Sequence, residues 1–103
     1  MKDLKSKTIL VTGASSGIGE AFTYQFAELG ANLIIVARSE SELQNVANTV
    51  KEKYHVDCYP IVLDLAKENA ATELFEKTSS LNMDVDVLVN NAGVGAIGKF
   101  EDY

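Results

Sequence analysis

One cysteine, one proline, one histidine and one arginine stand among 103 residues. The lone Cys58 excludes an internal disulfide framework and a zinc site built from several thiolates, and it suits a reducing cytoplasm. Its plain reading is a small buried hydrophobe beside a strand. The single His55 falls in a connection, where a solvated side chain without catalytic weight is expected. Positive charge is sparse and scattered: nine Lys and Arg against fifteen Asp and Glu leave a formal net charge of −6. The basic face that a nucleic-acid binder needs is therefore missing. No apolar run is long enough to span a membrane. The N-terminal MKDLKSKTILVTG passes from lysines into a short apolar strand and a glycine turn, which is not a secretory signal. A cytoplasmic location is expected. No linker or low-complexity tract divides the chain, and its length fits one domain with a modest core.

What is present alternates. KTILVT, Lys7 to Thr12, reads as a first strand, and Ile18, Phe22, Phe26 and Leu29 then repeat as one face of a helix that Gly30 caps. ANLIIVA, Ala31 to Ala37, is a second strand, apolar almost throughout, as in a parallel sheet covered on both faces. Ser39 with Glu42 makes a capping box that starts a second helix, whose buried stripe is Leu43, Val46, Ala47, Val50 and Tyr54. CYPIVLD, Cys58 to Asp64, is a third strand. Pro60 inside it cannot donate to a ladder, so this strand belongs at a sheet edge. Ala71, Leu74, Phe75 and Thr78 mark a third helix from about Lys67 to Ser80. VDVLVNNAG, Val85 to Gly93, is a fourth strand running into a glycine turn; the tail beyond it reads as loop and the first turn of another helix. Strands separated by helices of this length are parallel with right-handed crossovers. The expected product is an α/β, doubly wound parallel sheet with strand order 3-2-1-4.

Three of the seven glycines, Gly13, Gly17 and Gly19, fall where the first strand ends and the first helix begins. In a doubly wound sheet this is the switch point where ligands bind. The helix N-terminus there offers unpaired N–H groups and partial positive charge, which suit a phosphate. Gly13 can make the tight turn, Gly17 lets a pyrophosphate approach the backbone, and Gly19 lets the helix pack closely on the sheet. Ser15 and Ser16 can add hydroxyl donors. For a bare glycine motif the alternative is a tight turn with no ligand.

The spacing in TGASSGIG, Thr12 to Gly19, resembles the cofactor motif of the short-chain dehydrogenases/reductases. NNAG, Asn90 to Gly93, and LDL, Leu63 to Leu65, agree with the same family in order and place. The resemblance implies a Rossmann-like fold, of which the chain holds the first half, as a C-terminally truncated dinucleotide-binding domain spanning residues 1–103. It further implies that Gly13, Ser15, Gly17, Ile18 and Gly19 hold the pyrophosphate and neighbouring ribose. Asp64 and Leu65 meet the adenine, and Asn91, Ala92 and Gly93 line the cofactor between adenine and ribose. Asn90 is expected to be structural, tying the fourth strand to its neighbours.

Where an NAD-binding domain usually puts an acid, at the end of the second strand, stands Ala37, followed by Arg38 and Ser39. A guanidinium can grip a 2′-phosphate with two bonds, and Ser39 adds a hydroxyl, so NADP is favoured over NAD. A solvated arginine before a helix is the alternative, and Glu40, Glu42 and the non-basic Ser16 weigh toward it.

The family's chemistry is hydride transfer between nicotinamide and an alcohol or carbonyl, with a tyrosine as acid/base and a lysine four residues on. Tyr24, Tyr54 and Tyr59 are followed at the fourth position by Glu28, Cys58 and Leu63, and Tyr103 is the last residue. No catalytic residue is assigned, and the chain alone is expected to be inactive. Two readings stay open: the cofactor-binding half of an NADP(H)-dependent oxidoreductase, or a non-catalytic nucleotide-binding or interaction module. Without a fifth strand, the apolar fourth strand becomes an open edge, and self-association as a homodimer through it is expected.

Overall fold

The alternation is realised as β1 (Thr8–Thr12), α1 (Gly17–Glu28), β2 (Asn32–Ala37), α2 (Glu40–Tyr54), β3 (Cys58–Val62), α3 (Ala70–Ser80) and β4 (Val87–Val89). The computed structural model describes residues 4–15 and 17–91. Ser16, Ala92, Gly93 and the helical turn expected in the tail lie outside them. The four strands form one parallel sheet in the order β3-β2-β1-β4. Thr12 is level with Val36, Ile35 with Pro60, and Val11 with Val89.

The proline fits its place at the level of single bonds. The Leu33 N–H donates to the Asp57 carbonyl and the Leu63 N–H to the Ala37 carbonyl, both at 2.9 Å. Odd-numbered residues of β3 therefore turn their backbone groups toward β2, and Pro60 turns its own outward. Its missing N–H takes nothing from the ladder and removes a donor from the free edge.

Side chains alternate between two layers. On one face Ile9, Val11, Leu33, Ile35 and Cys58 pack with Ala27 of α1 and with Leu43, Val46, Ala47 and Val50 of α2. On the other, Leu10, Ile34, Val36, Ile61 and Leu63 pack against Leu74, Leu81 and Met83. Helices α1 and α2 thus cover one face, and α3 with the loop after it covers the other. Leu33, Ile34 and Ile35 are fully buried, each burial stabilising by about 1.5–3 kcal/mol. Cys58 is buried in the first layer, and burial pushes its thiol up to about 12, against a smaller opposing effect of the Lys51 charge.

The buried face of α1 differs from the expected stripe. Ile18 is 64% exposed, and Phe22, Phe26 and Leu29 are half-buried. Gly19, Thr23 and Ala27 face the sheet instead. They also recur every four residues, and they are small. An all-apolar, fully buried sheet surface already fills the interlayer space, so the helix approaches on its narrow side and the phenylalanines lie to its flank, stacked with ring centres 6.0 Å apart. The Thr23 hydroxyl donates to the Gly19 carbonyl at 2.8 Å, so burying it leaves no polar group unpaired. The C-terminus ends as expected at Gly30 (φ 95°). The Gly30 N–H bonds the Ala27 carbonyl (2.9 Å) and the Ala31 N–H the Phe26 carbonyl (3.1 Å).

Further expectations need correction. Ser39 is the residue before α2, but its hydroxyl makes no cap bond, so the capping box does not form. The first turn is closed by backbone alone, Leu43 N–H to Ser39 carbonyl at 3.0 Å, with Glu40 and Glu42 supplying negative charge to the helix start. The α2 stripe is as expected, with Tyr54 half-buried at its end. Helix α3 starts three residues late, because residues 64–69 are taken up by turns bonded from Lys67 N–H to Asp64 and from Ala70 N–H to Lys67. Its inward face is Ala70 and Leu74, whereas Ala71 is exposed and Phe75 is 70% exposed. Of the expected stripe, Leu74 and the half-buried Thr78 face inward, while Ala71 and Phe75 lie about 100° of helix from Ala70 and Leu74. Strands β3 and β4 are shorter than expected, and β4 keeps three residues. The start of β4 is clamped to β1: the Asp86 N–H donates to the Thr8 carbonyl and the Asp86 carboxylate accepts from the Thr8 N–H, both at 2.8 Å. No described helix is long and apolar enough to cross a membrane.

The two faces of α1 give opposite expectations. Thr23→Leu overfills the helix–sheet space and should cost about 1–3 kcal/mol in urea unfolding, whereas Ile18→Thr, on the exposed side, should stay within about 0.5 kcal/mol. The reverse order would restore the phenylalanine-side packing as the buried face.

Candidate functional site

All four strands end at the same rim of the sheet, so the residues that follow them line up in strand order. From one side to the other come Asp64 and Leu65 after β3, Arg38 and Ser39 after β2, the glycine loop after β1, and Asn91 after β4. Neighbouring strands lie about 4.8 Å apart, so β3 to β1 spans about 10 Å, the reach of an adenosine with its phosphates. The helices change faces here: α1 and α2 lie on one side and α3 on the other, which puts the switch point of the sheet at the carboxyl ends of β1 and β4.

The loop is shaped by its glycines. Gly13 and Gly17 hold φ of 62° and 60°, the left-handed region that L side chains rarely adopt. A Cβ at Gly17 would meet nothing within 4 Å, so this backbone faces open room at the first turn of α1. Gly19 is the opposite case. A Cβ there would overlap the Gly13 carbonyl and come 2.9 Å from the Asn91 amide nitrogen. Gly19 therefore sets how closely α1 sits on the strand exit, and the Ala14 N–H ties the loop to the Val36 carbonyl of β2 at 3.2 Å. Ser15 is half-buried and Ile18 lies exposed on the rim. The start of a helix offers N–H groups without intrahelical partners, and with open room beside it such a start can bind an anion.

Thr12, which sequence reasoning leaves without a role of its own, joins the two central loops. Its hydroxyl donates to the Asn90 side-chain oxygen (3.0 Å) and accepts from the Asn91 N–H (2.8 Å). One buried hydroxyl at the end of β1 thus fixes the turn after β4, 78 residues away. The signal available was a threonine closing an otherwise apolar strand end. Asn90 is bound to β1 through this contact, as the structural reading of it expected.

Arg38 is exposed and Ser39 half-buried at the start of α2. Asp64 is half-buried, and its carboxylate accepts from the Ala66 N–H at 3.0 Å, which orders the turn after β3. Leu65 is drawn partly into the α3-side core. Tyr24 lies away from this rim; burial first, then its hydrogen bond to Glu20 and that carboxylate's charge, hold its phenol above the ordinary range. Among the described residues no group of three His, Cys, Asp or Glu could hold a metal ion. The expected contributions of Ser16, Ala92 and Gly93 fall outside the described residues.

The profile of the family described as short chain dehydrogenase matches residues 7–103. The chain belongs to that family. An 11-beta-hydroxysteroid dehydrogenase of Pinus massoniana is 37% identical over 101 residues, covering 98% of this chain and 28% of its own length. An NADP-dependent 3-hydroxy acid dehydrogenase of Schizosaccharomyces pombe is 38% identical over 95 residues, covering 91% of this chain and 37% of its own. The crystal structure of L-sorbose reductase from Gluconobacter frateurii, complexed with NADPH and L-sorbose, superposes with a TM-score of 0.83 at 36% identity, over 88% of this chain and 35% of that one. The chain spans about a third of the length of such relatives.

Two substitutions test the loop. Gly19→Ala forces its methyl into the Gly13 carbonyl, so α1 must move off the strand. Unfolding midpoint and dinucleotide affinity should both fall, while Gly17→Ala, with open room around it, should leave packing intact and act through backbone strain of about 1–2 kcal/mol. Thr12→Ala leaves the Asn91 N–H without its partner and should cost about 1–3 kcal/mol, with Thr12→Ser recovering most of it in the same urea titration. Equal stability of both Thr12 variants would show that the methyl, not the hydroxyl, holds β4.

Proposed function

We propose that the chain supplies the cofactor-binding part of an NADP(H)-dependent oxidoreductase of the short-chain dehydrogenase type, acting on an alcohol or carbonyl. The observation that carries the reading is the open room at Gly17, beside left-handed backbone at the N-terminus of α1 and at the switch point of the sheet. In it, the loop from Gly13 to Gly19 with Ser15 and Ser16 cradles the pyrophosphate, and Ile18 covers the adjoining ribose. Asp64 and Leu65 receive the adenine, and Asn91, Ala92 and Gly93 form the wall after β4. Residues 1–103 act as one dinucleotide-binding unit. The bound nicotinamide would supply the hydride. No Tyr-x-x-x-Lys occurs among these residues, so their work is binding and orientation, and the chain by itself moves no substrate proton.

The 2′-phosphate preference rests on Arg38 and Ser39. The guanidinium is exposed at the rim beside the first turn of α2, and the Ser39 hydroxyl is not spent on capping that helix. Both can turn to a phosphate, and the helix start adds its own positive end. The relatives named NADP-dependent or solved with NADPH support the same choice. Charge-assisted bonds of this type contribute about 1.5–3 kcal/mol, tenfold or more in affinity. NADPH should therefore bind at least about tenfold more tightly than NADH in a fluorescence titration, and Arg38→Ala should close most of that gap. Equal affinities for the two cofactors in the unaltered chain would overturn the NADP assignment and leave dinucleotide binding standing.

The partner proposed is a second copy. Even-numbered residues of β1 turn toward β4, and the register Leu10–Leu88 then has Val87 and Val89 bonding to β1, so Leu88 turns its N–H and C=O groups to the other side. Among the described residues β1 is the one strand that pairs with β4. Two copies joined there about a two-fold axis would extend the sheet, with aggregation as the competing outcome. Light scattering should report a dimer that Leu88→Pro, which removes the edge-facing N–H, disperses; a monomer at all concentrations would sink the proposal.

A further inference from the structure

We draw no further inference here: the strongest candidate, the exposed apolar patch that Phe75 and Ala71 make on the solvent side of α3, carries nothing because nothing in the structure shows what covers it.

Discussion

Helix α1 sits on the sheet at the distance that Gly19 permits. Its Cα packs against the Gly13 carbonyl so closely that no side-chain atom fits between them. Much else follows from that contact. A helix held this near the strands can bury only small residues, which is why Thr23 and Ala27 continue the row and the phenylalanines are displaced to the flank. Beyond Gly17, at the first turn of α1, the backbone faces open room. Helix packing and the shape of the glycine loop are therefore one geometric decision, and a larger residue at position 19 would disturb both.

The strand order and the line of residues along the rim are legible in the sequence, for reasons that are local. Pro60 declares an edge because a missing donor is tolerated only there, and ANLIIVA declares a buried centre because every position but Asn32 is apolar. The glycine spacing in TGASSGIG survives as left-handed turns and a close contact. Helix orientation is less legible. Apolar periodicity ranks Phe22 and Phe75 above Thr23 and Ala70 because transfer energy scales with size. The available gap decides otherwise, and that gap is set by the strands. The capping box at Ser39 fails for a related reason: the letters permit the bond, but backbone closure of the turn and two acidic side chains already satisfy the helix start.

Thr12 and Asp86 were illegible because each acts across the sheet. Beyond the threonine's place at an apolar strand end, nothing in their neighbourhoods marks a hydroxyl that will face a turn after β4, or an aspartate that will meet the first N–H of β1. Such pairs become visible only when the register Ile9–Val87 and Val11–Val89 is known. They sit at opposite ends of the same strand pair, so β4, with three ladder residues, is held by one polar clamp at its start and another at its end.

The length of the loop that Thr12 closes has a kinetic meaning. The hydroxyl and Asn90 are separated by 78 positions, whereas β1, α1 and β2 are consecutive and meet through short connections. Chain-closure entropy rises with the separation of the joined residues, so contacts of the second kind form first. A βαβ core with its phosphate loop can condense while the segment after α3 is still unbound. The wall that Asn91 contributes arrives afterward, when β4 zips onto β1. Docking of β4 is thereby made the closing step of folding, and any ligand that bound across β1 and β4 would act as a latch on the last strand to dock.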